Sequence, residues 1–230
     1  MKKFVILSGA GVSAESGIRT FRDSDGLWEN YNVRDVADIE GWYRNKKLML
    51  DFYNQRRRQL EKAQPNKAHK IIAELERYFE VTVVTQNVDN LHERAGSTNV
   101  IHLHGELTKV RPEDQTDKGV IDIGYRDINI GDTDHRGVQL RPHIVWFGEA
   151  VPMIEPAAKA VSQADILLII GTSLNVYPAA GLFRYAKYGI PIYLIDPQRI
   201  DLDYKNFRQI QEPATTGMEK LMDILVNEQI

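Results

Sequence analysis

The sequence predicts an α/β protein built on a Rossmann-like, doubly wound parallel sheet with a second, smaller inserted domain, and three observations carry that expectation. A short apolar run, Phe4 to Leu7, breaks directly into Gly9-Ala10-Gly11 and rises through Val12-Ser13-Ala14 into a helix-like stretch. Further apolar, β-branched runs alternate with helical patterns as far as the C-terminus. Several of these runs close on small or polar residues, as at Thr85-Gln86-Asn87 and Gly171-Thr172-Ser173. Carboxyl ends of parallel strands are where open α/β sheets bind their ligands.

Taken in order, Phe4 to Leu7 suits a strand buried on both faces. Gly9, Gly11 and Ala14 match the G-x-G-x-x-G/A spacing after the first strand of a dinucleotide-binding unit. Small residues let the backbone turn tightly and approach a pyrophosphate, with the N–H groups of the helix start facing the anion. A plain strand-to-helix turn uses the same glycines, but the polar stretch Glu15 to Arg22 is too decorated for an ordinary Rossmann helix. The usual acidic residue about 20 positions further on, at the end of a second strand, is missing. Asp23, Asp25 and Glu29 lie near that distance with no strand before them, so the site reads as a variant.

Asp23 to Tyr31 reads as a loop able to cover a ligand. Val33 to Lys62 reads as helical up to Pro65, with Leu48, Met49 and Phe52 at helical spacing. A second helix is expected over Lys67 to Tyr78, burying Ala68, Ile71, Ile72 and Leu75. Val81 to Thr85 reads as a buried parallel strand, and Asn99 to Leu103 as another that ends at His104-Gly105. From Thr108 to Leu140 charged and turn residues dominate, marking a small excursion with a β-like piece at Val120 to Ile123. His143 to Phe147 is expected to be extended, Pro156 to Gln163 helical and Asp165 to Ile170 a strand. A helix from Pro178 to Tyr188, a strand from Ile190 to Ile195 ending at Asp196-Pro197, and an amphipathic helix from Met218 to Val226 complete the pattern. The expected division is a sheet domain of 1–32, 79–107 and 141–230, with 33–78 and 108–140 forming the small domain.

Composition sets the bounds. A chain of 230 residues, 43% hydrophobic and 27% charged, can bury a sizeable core. A net charge of −3 gives no overall drive toward nucleic acid or an anionic membrane. The absence of cysteine excludes disulfides, a thiolate nucleophile and thiolate zinc sites, and it fits a reducing cytoplasm. The apolar run after Met1-Lys2-Lys3 is too short for a signal peptide and passes straight into the glycine loop. No stretch approaches the roughly 20 apolar residues of a membrane span.

Several separated segments then agree. Gly9-Ala10-Gly11-Val12-Ser13 with Ser16-Gly17-Ile18 and Phe21-Arg22, the Thr85-Gln86-Asn87-Val88-Asp89 segment, and His104-Gly105 stand in order along the chain. Val145-Trp146-Phe147-Gly148-Glu149, Gly171-Thr172-Ser173 and Val176-Tyr177-Pro178 follow them. Together they resemble the signatures of the sirtuins, the NAD-dependent protein lysine deacylases, over nearly the whole chain. The resemblance implies that NAD loses nicotinamide while an acyl-lysine oxygen attacks the ribose, and that a base then activates a ribose hydroxyl. His104 is the implied base, a role that an imidazole of near-neutral pKa suits. His102, two residues away on the same strand face, is its rival. Gln86, Asn87 and Asp89 are implied to line the ribose and nicotinamide pocket, Asp89 accepting from the carboxamide and Asn87 placing a water or hydroxyl. Strand-end capping is the plainer role for such residues. Phe21 is implied to shield the reacting carbon, Arg22 to sit by phosphate or ribose oxygens, and Ser13, Thr172 and Ser173 to bond phosphate or ribose. Gly9, Ala10, Gly11, Ala14 and Gly171 complete the implied NAD loop. Asp196 and Pro197 stand where an Asn is often found, and Ala214 is implied to contact adenine.

Val145, Phe147, Gly148 and Glu149 belong to the segment implied to pair with a substrate peptide as an added strand. Tyr53 and Arg56, three apart on a helix, share a face. In sirtuins that remove succinyl and malonyl groups, a Tyr-x-x-Arg pair binds the acyl carboxylate, and Ala14 and Thr20 also fit that class. Arg56-Arg57-Arg58 as a solvated basic face is the simpler alternative. The departure from the family pattern is Thr108 to Leu140, where most members carry four zinc-binding cysteines. His135 with Asp132 and Asp134 reads as a surface turn, and no metal is expected. The chain is thus expected to be a cytoplasmic, monomeric deacylase acting on acyl-lysine proteins or peptides, without nucleic-acid or membrane partners. An ADP-ribosyltransferase or NAD glycohydrolase, and a non-catalytic NAD-sensing module, are the competing readings.

Overall fold

The computed structural model describes residues 1–18, 31–114, 118–172, 174, 176–200 and 204–228, together with the backbone of 27–28. The first strand, β1 (Lys3–Ser8), runs into the short helix α1 (Gly11–Ala14). A two-stranded ribbon of β2 (Leu27–Trp28) and β3 (Tyr31–Asn32) follows, where the sequence suggests only a loop.

The expected single helical stretch up to Lys62 is broken into α2 (Val33–Val36), α3 (Ile39–Arg44) and α4 (Lys46–Lys62). The breaks have a chemical cause. Asn32, Asp38 and Asn45 each turn a side-chain oxygen back onto the N–H groups of the following helix, so each starts a helix instead of continuing one. Asn66 does the same for α5 (Lys67–Glu74), which ends in a 3₁₀ turn, Leu75–Arg77. Next come β4 (Glu80–Thr85), α6 (Leu91–Ala95), β5 (Val100–His102), β6 (Gly105–Pro112), β7 (Ile121–Asp122) and β8 (Leu140–Ile144). The chain closes with α7 (Ile154–Gln163), β9 (Ile166–Ile170), β10 (Ile192–Ile195), β11 (Phe207–Ile210) and α8 (Ala214–Glu228). The helix expected over Pro178 to Tyr188 is a 3₁₀ segment, Ala179–Tyr185, with Gly181 in its middle, a residue that disfavours a regular helix.

A six-stranded sheet has the order β11-β10-β9-β1-β4-β5, with every neighbouring pair parallel. Strand order leaves β1 in both directions, so the switch point lies at the carboxyl ends of β1 and β9. Both sheet faces are covered, which explains the unalternating apolar runs. Phe4, Ile6, Val83 and Leu168 pack with Ile72 of α5 and with Met218 and Leu221 of α8 on one face. Val5, Leu7, Val84 and Leu167 pack with Ala157 and Val161 of α7 on the other.

A second sheet, β7-β6-β8, is antiparallel. It shares a separate cluster with α4, in which Trp42, Met49, Phe52, Tyr53, Leu107, Val110, Ile144 and Trp146 are buried. α5, assigned to the small domain by the sequence division, packs instead on the large sheet. Leu48 is only half-buried, and the inner face of α4 passes through Met49, Phe52, Tyr53, Arg56, Arg57 and Leu60.

Candidate active site

The two sheets meet above the switch point in a cleft of about 680 Å³. Its floor begins at the turn after β1. Gly9 N donates to Ile170 O and Gly11 N to Gly171 O, at 3.0 and 2.9 Å. A Cβ built on Gly11 would stand 2.7 Å from the Gly171 Cα, so glycine here is what lets the two strand ends close on each other. Gly9, Ala10, Gly171 and Thr172 line the cleft, and Gln86 Nε2 donates to Thr172 Oγ1 at 3.2 Å.

Buried polar side chains fill the floor. Asn87 donates through Nδ2 to Gly9 O and to Ser13 Oγ, each at 3.1 Å. Ser13 donates to Asp89 Oδ2 at 3.0 Å, and Leu91 N donates to Asp89 Oδ1 at 3.1 Å. Burial raises the Asp89 carboxyl above its ordinary range, against these two donors. Both amide hydrogens of Asn87 are thereby spent within the protein, and its remaining resource is an acceptor oxygen suited to a hydroxyl.

Two histidines hold consecutive carbonyls of the β4 end. His104 Nδ1 lies 3.0 Å from Gln86 O, and His102 Nδ1 lies 3.2 Å from Asn87 O. A carbonyl can only accept, so both Nδ1 atoms carry the proton. His104 lines the cleft, its Nε2 is therefore the basic nitrogen, and burial lowers its pKa below the ordinary value. His102 Nε2 is occupied by Glu93 Oε1 at 2.6 Å. Burial works against the charge of His102, yet the Glu93 carboxylate prevails and raises its pKa. The rivalry left open by the sequence is thus resolved by partners: His102 is tied up by a carboxylate, and His104 faces the cleft.

The opposite wall comes from α4 and the segment after β8. Tyr53 and Arg56 both line the cleft and are 1% and 6% exposed. Arg57 is fully buried as well, so the solvated basic face is confined to Arg58. Burial pushes the Tyr53 phenol well above its ordinary pKa, which keeps it a neutral donor. Val145, Phe147, Gly148 and Glu149 line the same wall. Phe147 already donates its N–H to Ala37 O and accepts from Ile39 N, so its own peptide group is committed. Glu149 receives Arg141 at 2.8 and 2.9 Å, Arg111 at 3.1 Å and the Trp146 N–H at 2.9 Å, which makes it an anchor of this segment.

Other expected residues stand apart. Gly11 and Ala14 are beside the cleft without lining it. Asp196 is buried and accepts from Gln198 N, a strand-end cap, while Pro197 is exposed. Ala214 is the buried first residue of α8 and packs into the core. Phe21, Arg22, Thr20 and Ser173 lie outside the described residues. Among the described residues no group of His, Cys, Asp or Glu could hold a metal. Asp134 caps Arg136 and Val138, in agreement with a surface turn.

His69 and His92 carry no site expectation from the sequence. They lie under the floor, 4.9 Å apart ring to ring, touching Ser13 Oγ at 3.4 Å and Ser8 Oγ at 3.0 Å respectively. Burial pushes His69 down to about 4 and His92 well below its ordinary value. The available signal was their place on apolar helix faces, His69 beside Ala68 and Ile72, and His92 after Leu91.

A model of the Sir2 family matches residues 9–178. An NAD-dependent protein deacylase of Helicobacter pylori is 53% identical over 227 residues, covering 98% of each chain. One from Bacteroides thetaiotaomicron is 52% identical, covering 98% of this chain and 99% of its own. A solved complex of a Sir2 homolog with NAD superposes with a TM-score of 0.87 at 39% identity, covering 98% of this chain and 90% of that one. A complex described as Sir2–p53 peptide–NAD+ gives 0.78 at 26% identity, covering 99% and 94%.

Proposed function

The chain belongs to the Sir2 family and is an NAD-dependent protein deacylase; within that activity we propose that it removes succinyl and malonyl groups from lysine as well as acetyl. The observation that carries this is the pairing of Tyr53 and Arg56 on the buried face of α4, lining the cleft that His104 also lines. A planar guanidinium and a phenol donor in a dry pocket suit a carboxylate at the far end of an acyl chain. An acetyl group needs neither.

NAD fits the donor set at the switch point: glycine loops that close on each other, and Ser13, Gln86, Asn87, Asp89 and Thr172 offering polar groups. Bound there, it supplies a leaving nicotinamide and the ribose that accepts the acyl group. His104 takes a proton at Nε2 from a hydroxyl at its face of the cleft, its Nδ1–H held by Gln86 O. Asn87 orients a hydroxyl through its acceptor oxygen. Tyr53 and Arg56 hold the acyl end, and Val145 and Gly148, which flank the committed peptide groups of Trp146 and Phe147, offer their backbone to the peptide main chain.

The low net charge and the absence of cysteine support a cytoplasmic enzyme without nucleic-acid, membrane or thiolate-metal partners, and we read it as a monomer. Among the described residues no helix is long and apolar enough to cross a membrane. The small domain follows the aromatic cluster shared by α4, β6, β8 and residues 123–128.

Steady-state deacylation of matched acetyl- and succinyl-lysine peptides tests the proposal. Arg56→Met is expected to lower kcat/KM for succinyl about a hundredfold, as loss of one partner of a buried charge pair costs on the order of 3 kcal/mol. Acetyl turnover is expected to stay within about threefold of wild type. Equal loss for both peptides sinks the carboxylate pocket.

A further inference from the structure

The Tyr53 hydroxyl does not stand alone. Trp146 Nε1 donates to it at 2.8 Å, and both side chains are buried. A phenol that accepts through a lone pair keeps its own proton for a second acceptor. The indole is itself held in place from three sides. The Arg141 guanidinium lies over its ring, 3.5 Å from the centroid. Trp42 packs against it at 5.6 Å, and Tyr53 itself at 5.9 Å. Its backbone N–H is fixed by Glu149 Oε2 at 2.9 Å, and Glu149 also takes both forks of Arg141. Arg141 in turn donates to Ile144 O at 2.9 Å, closing the loop onto β8. The result is a rigid chain from Glu149 through Arg141 and Trp146 to the tyrosine.

We propose that Trp146 is a positioning residue for acyl selection: its indole N–H occupies the acceptor side of the Tyr53 hydroxyl and so aims the phenol proton into the cleft, toward the carboxylate of a dicarboxylic acyl group. The proposal rests on the carboxylate-pocket reading above. Without the indole, the hydroxyl is free to rotate and donate elsewhere, and the acyl carboxylate loses a fixed donor. An acetyl group, which ends short of that donor, is indifferent to the change. Only ground-state binding of the longer acyl group depends on the contact, so the effect belongs in KM.

The test is Trp146→Phe assayed on the two matched peptides, alone and combined with Tyr53→Phe. Expected is a rise of about tenfold in KM for the succinyl peptide, with kcat within about twofold and acetyl kinetics within about threefold. In the Tyr53→Phe background, Trp146→Phe is expected to leave the succinyl-to-acetyl ratio unmoved, because the hydroxyl it positions is gone. Should Trp146→Phe fail to fold, 3-benzothienylalanine at position 146 keeps the ring size and the stack with Arg141 and deletes only the N–H. Proportional loss of both activities, or an undiminished Trp146 effect in the Tyr53→Phe background, overturns the proposal. Wild-type succinyl turnover that depends on Arg56 while ignoring Trp146 overturns the proposal alone. A wild type that does not turn over the succinyl peptide removes the carboxylate pocket, and the role of Trp146 with it.

Discussion

At the level of single residues, the site is governed by which nitrogen or oxygen is already spoken for. His104 and His102 both spend Nδ1 on the β4 carbonyls, and they differ only in what meets Nε2. His104 is held neutral by burial, so it stays a base at pH values where an ordinary imidazole of pKa 6.5 is half protonated. The acid limb of kcat/KM against pH is therefore expected to turn below 6.5, and a pH–rate profile checks it. A limb well above 6.5 would contradict the assignment. His104→Ala is expected to abolish turnover while NAD still binds, read by calorimetry. The motif around His104 was legible in the sequence. The tautomer was not, because it is set by Gln86 O, whose closeness only the fold creates.

Among the elements, β6 decides most. The sequence predicts a strand that ends at His104-Gly105 and an excursion from Thr108, because Lys109 and Arg111 interrupt the apolar pattern of Leu107 and Val110. In the fold Arg111 turns inward to Glu149, and β6 becomes the centre strand of the second sheet. The strand is disguised in the sequence by this buried ion pair and by an irregularity between Glu106 and Val110 that lets Leu107 and Val110, three apart, both be buried. β11 is hidden for a different reason: its Phe207-Arg208-Gln209-Ile210 mixes polar and apolar residues on an edge, with Arg208 exposed. The β-branched runs of β1, β4, β9 and β10 were plain, since burial on both faces leaves no room for disguise. Gly105 starts β6 with φ +78°, and a Cβ there would lie 2.0 Å from His143 O. Gly105→Ala is expected to cost roughly 3 kcal/mol in stability and most of the activity, because it displaces the neighbouring His104. Thermal unfolding and kinetics together check this, and an active, unshifted variant would contradict it.

The same level explains how residues 108–140 stay attached without thiolates. Asn54 donates to Ile128 O at 2.8 Å and accepts from Ile128 N at 3.0 Å. Arg57 reaches Arg126 O at 3.0 Å and Leu107 O at 3.4 Å, and also donates to Asn54 Oδ1. α4 thus clamps the segment through buried main-chain bonds. Asn54→Ala is expected to destabilise by about 3 kcal/mol, leaving two buried peptide groups unpaired. Denaturant unfolding measures it, and a loss below about 1 kcal/mol would show that the clamp carries little.

For the whole molecule, two consequences follow. A chelator is expected to leave both Tm and activity unchanged, since Asn54 and Arg57 of α4 do the joining. Acid is expected to unfold the protein early. His69 titrates at 6.5 when unfolded and at about 4 in the fold, so between those values the unfolded chain binds a proton that the native state refuses. Stability therefore falls as pH drops from 6.5 to 4, by about 3 kcal/mol from His69 alone, with His92 acting in the same direction. His102 acts oppositely, its contribution being present at low pH and lost as pH rises through its raised pKa. A Tm that stayed flat across that window would contradict the buried, neutral histidines.

The proposed reaction is an NAD-dependent acyl transfer that reaches dicarboxylic groups. Its most direct test is mass spectrometry of a succinyl-lysine peptide incubated with the protein, with and without NAD. Expected is loss of succinyl only when NAD is present, with nicotinamide and succinyl-ADP-ribose released in equal amounts. Consumption of NAD with the peptide left succinylated, or loss of succinyl without NAD, would contradict it.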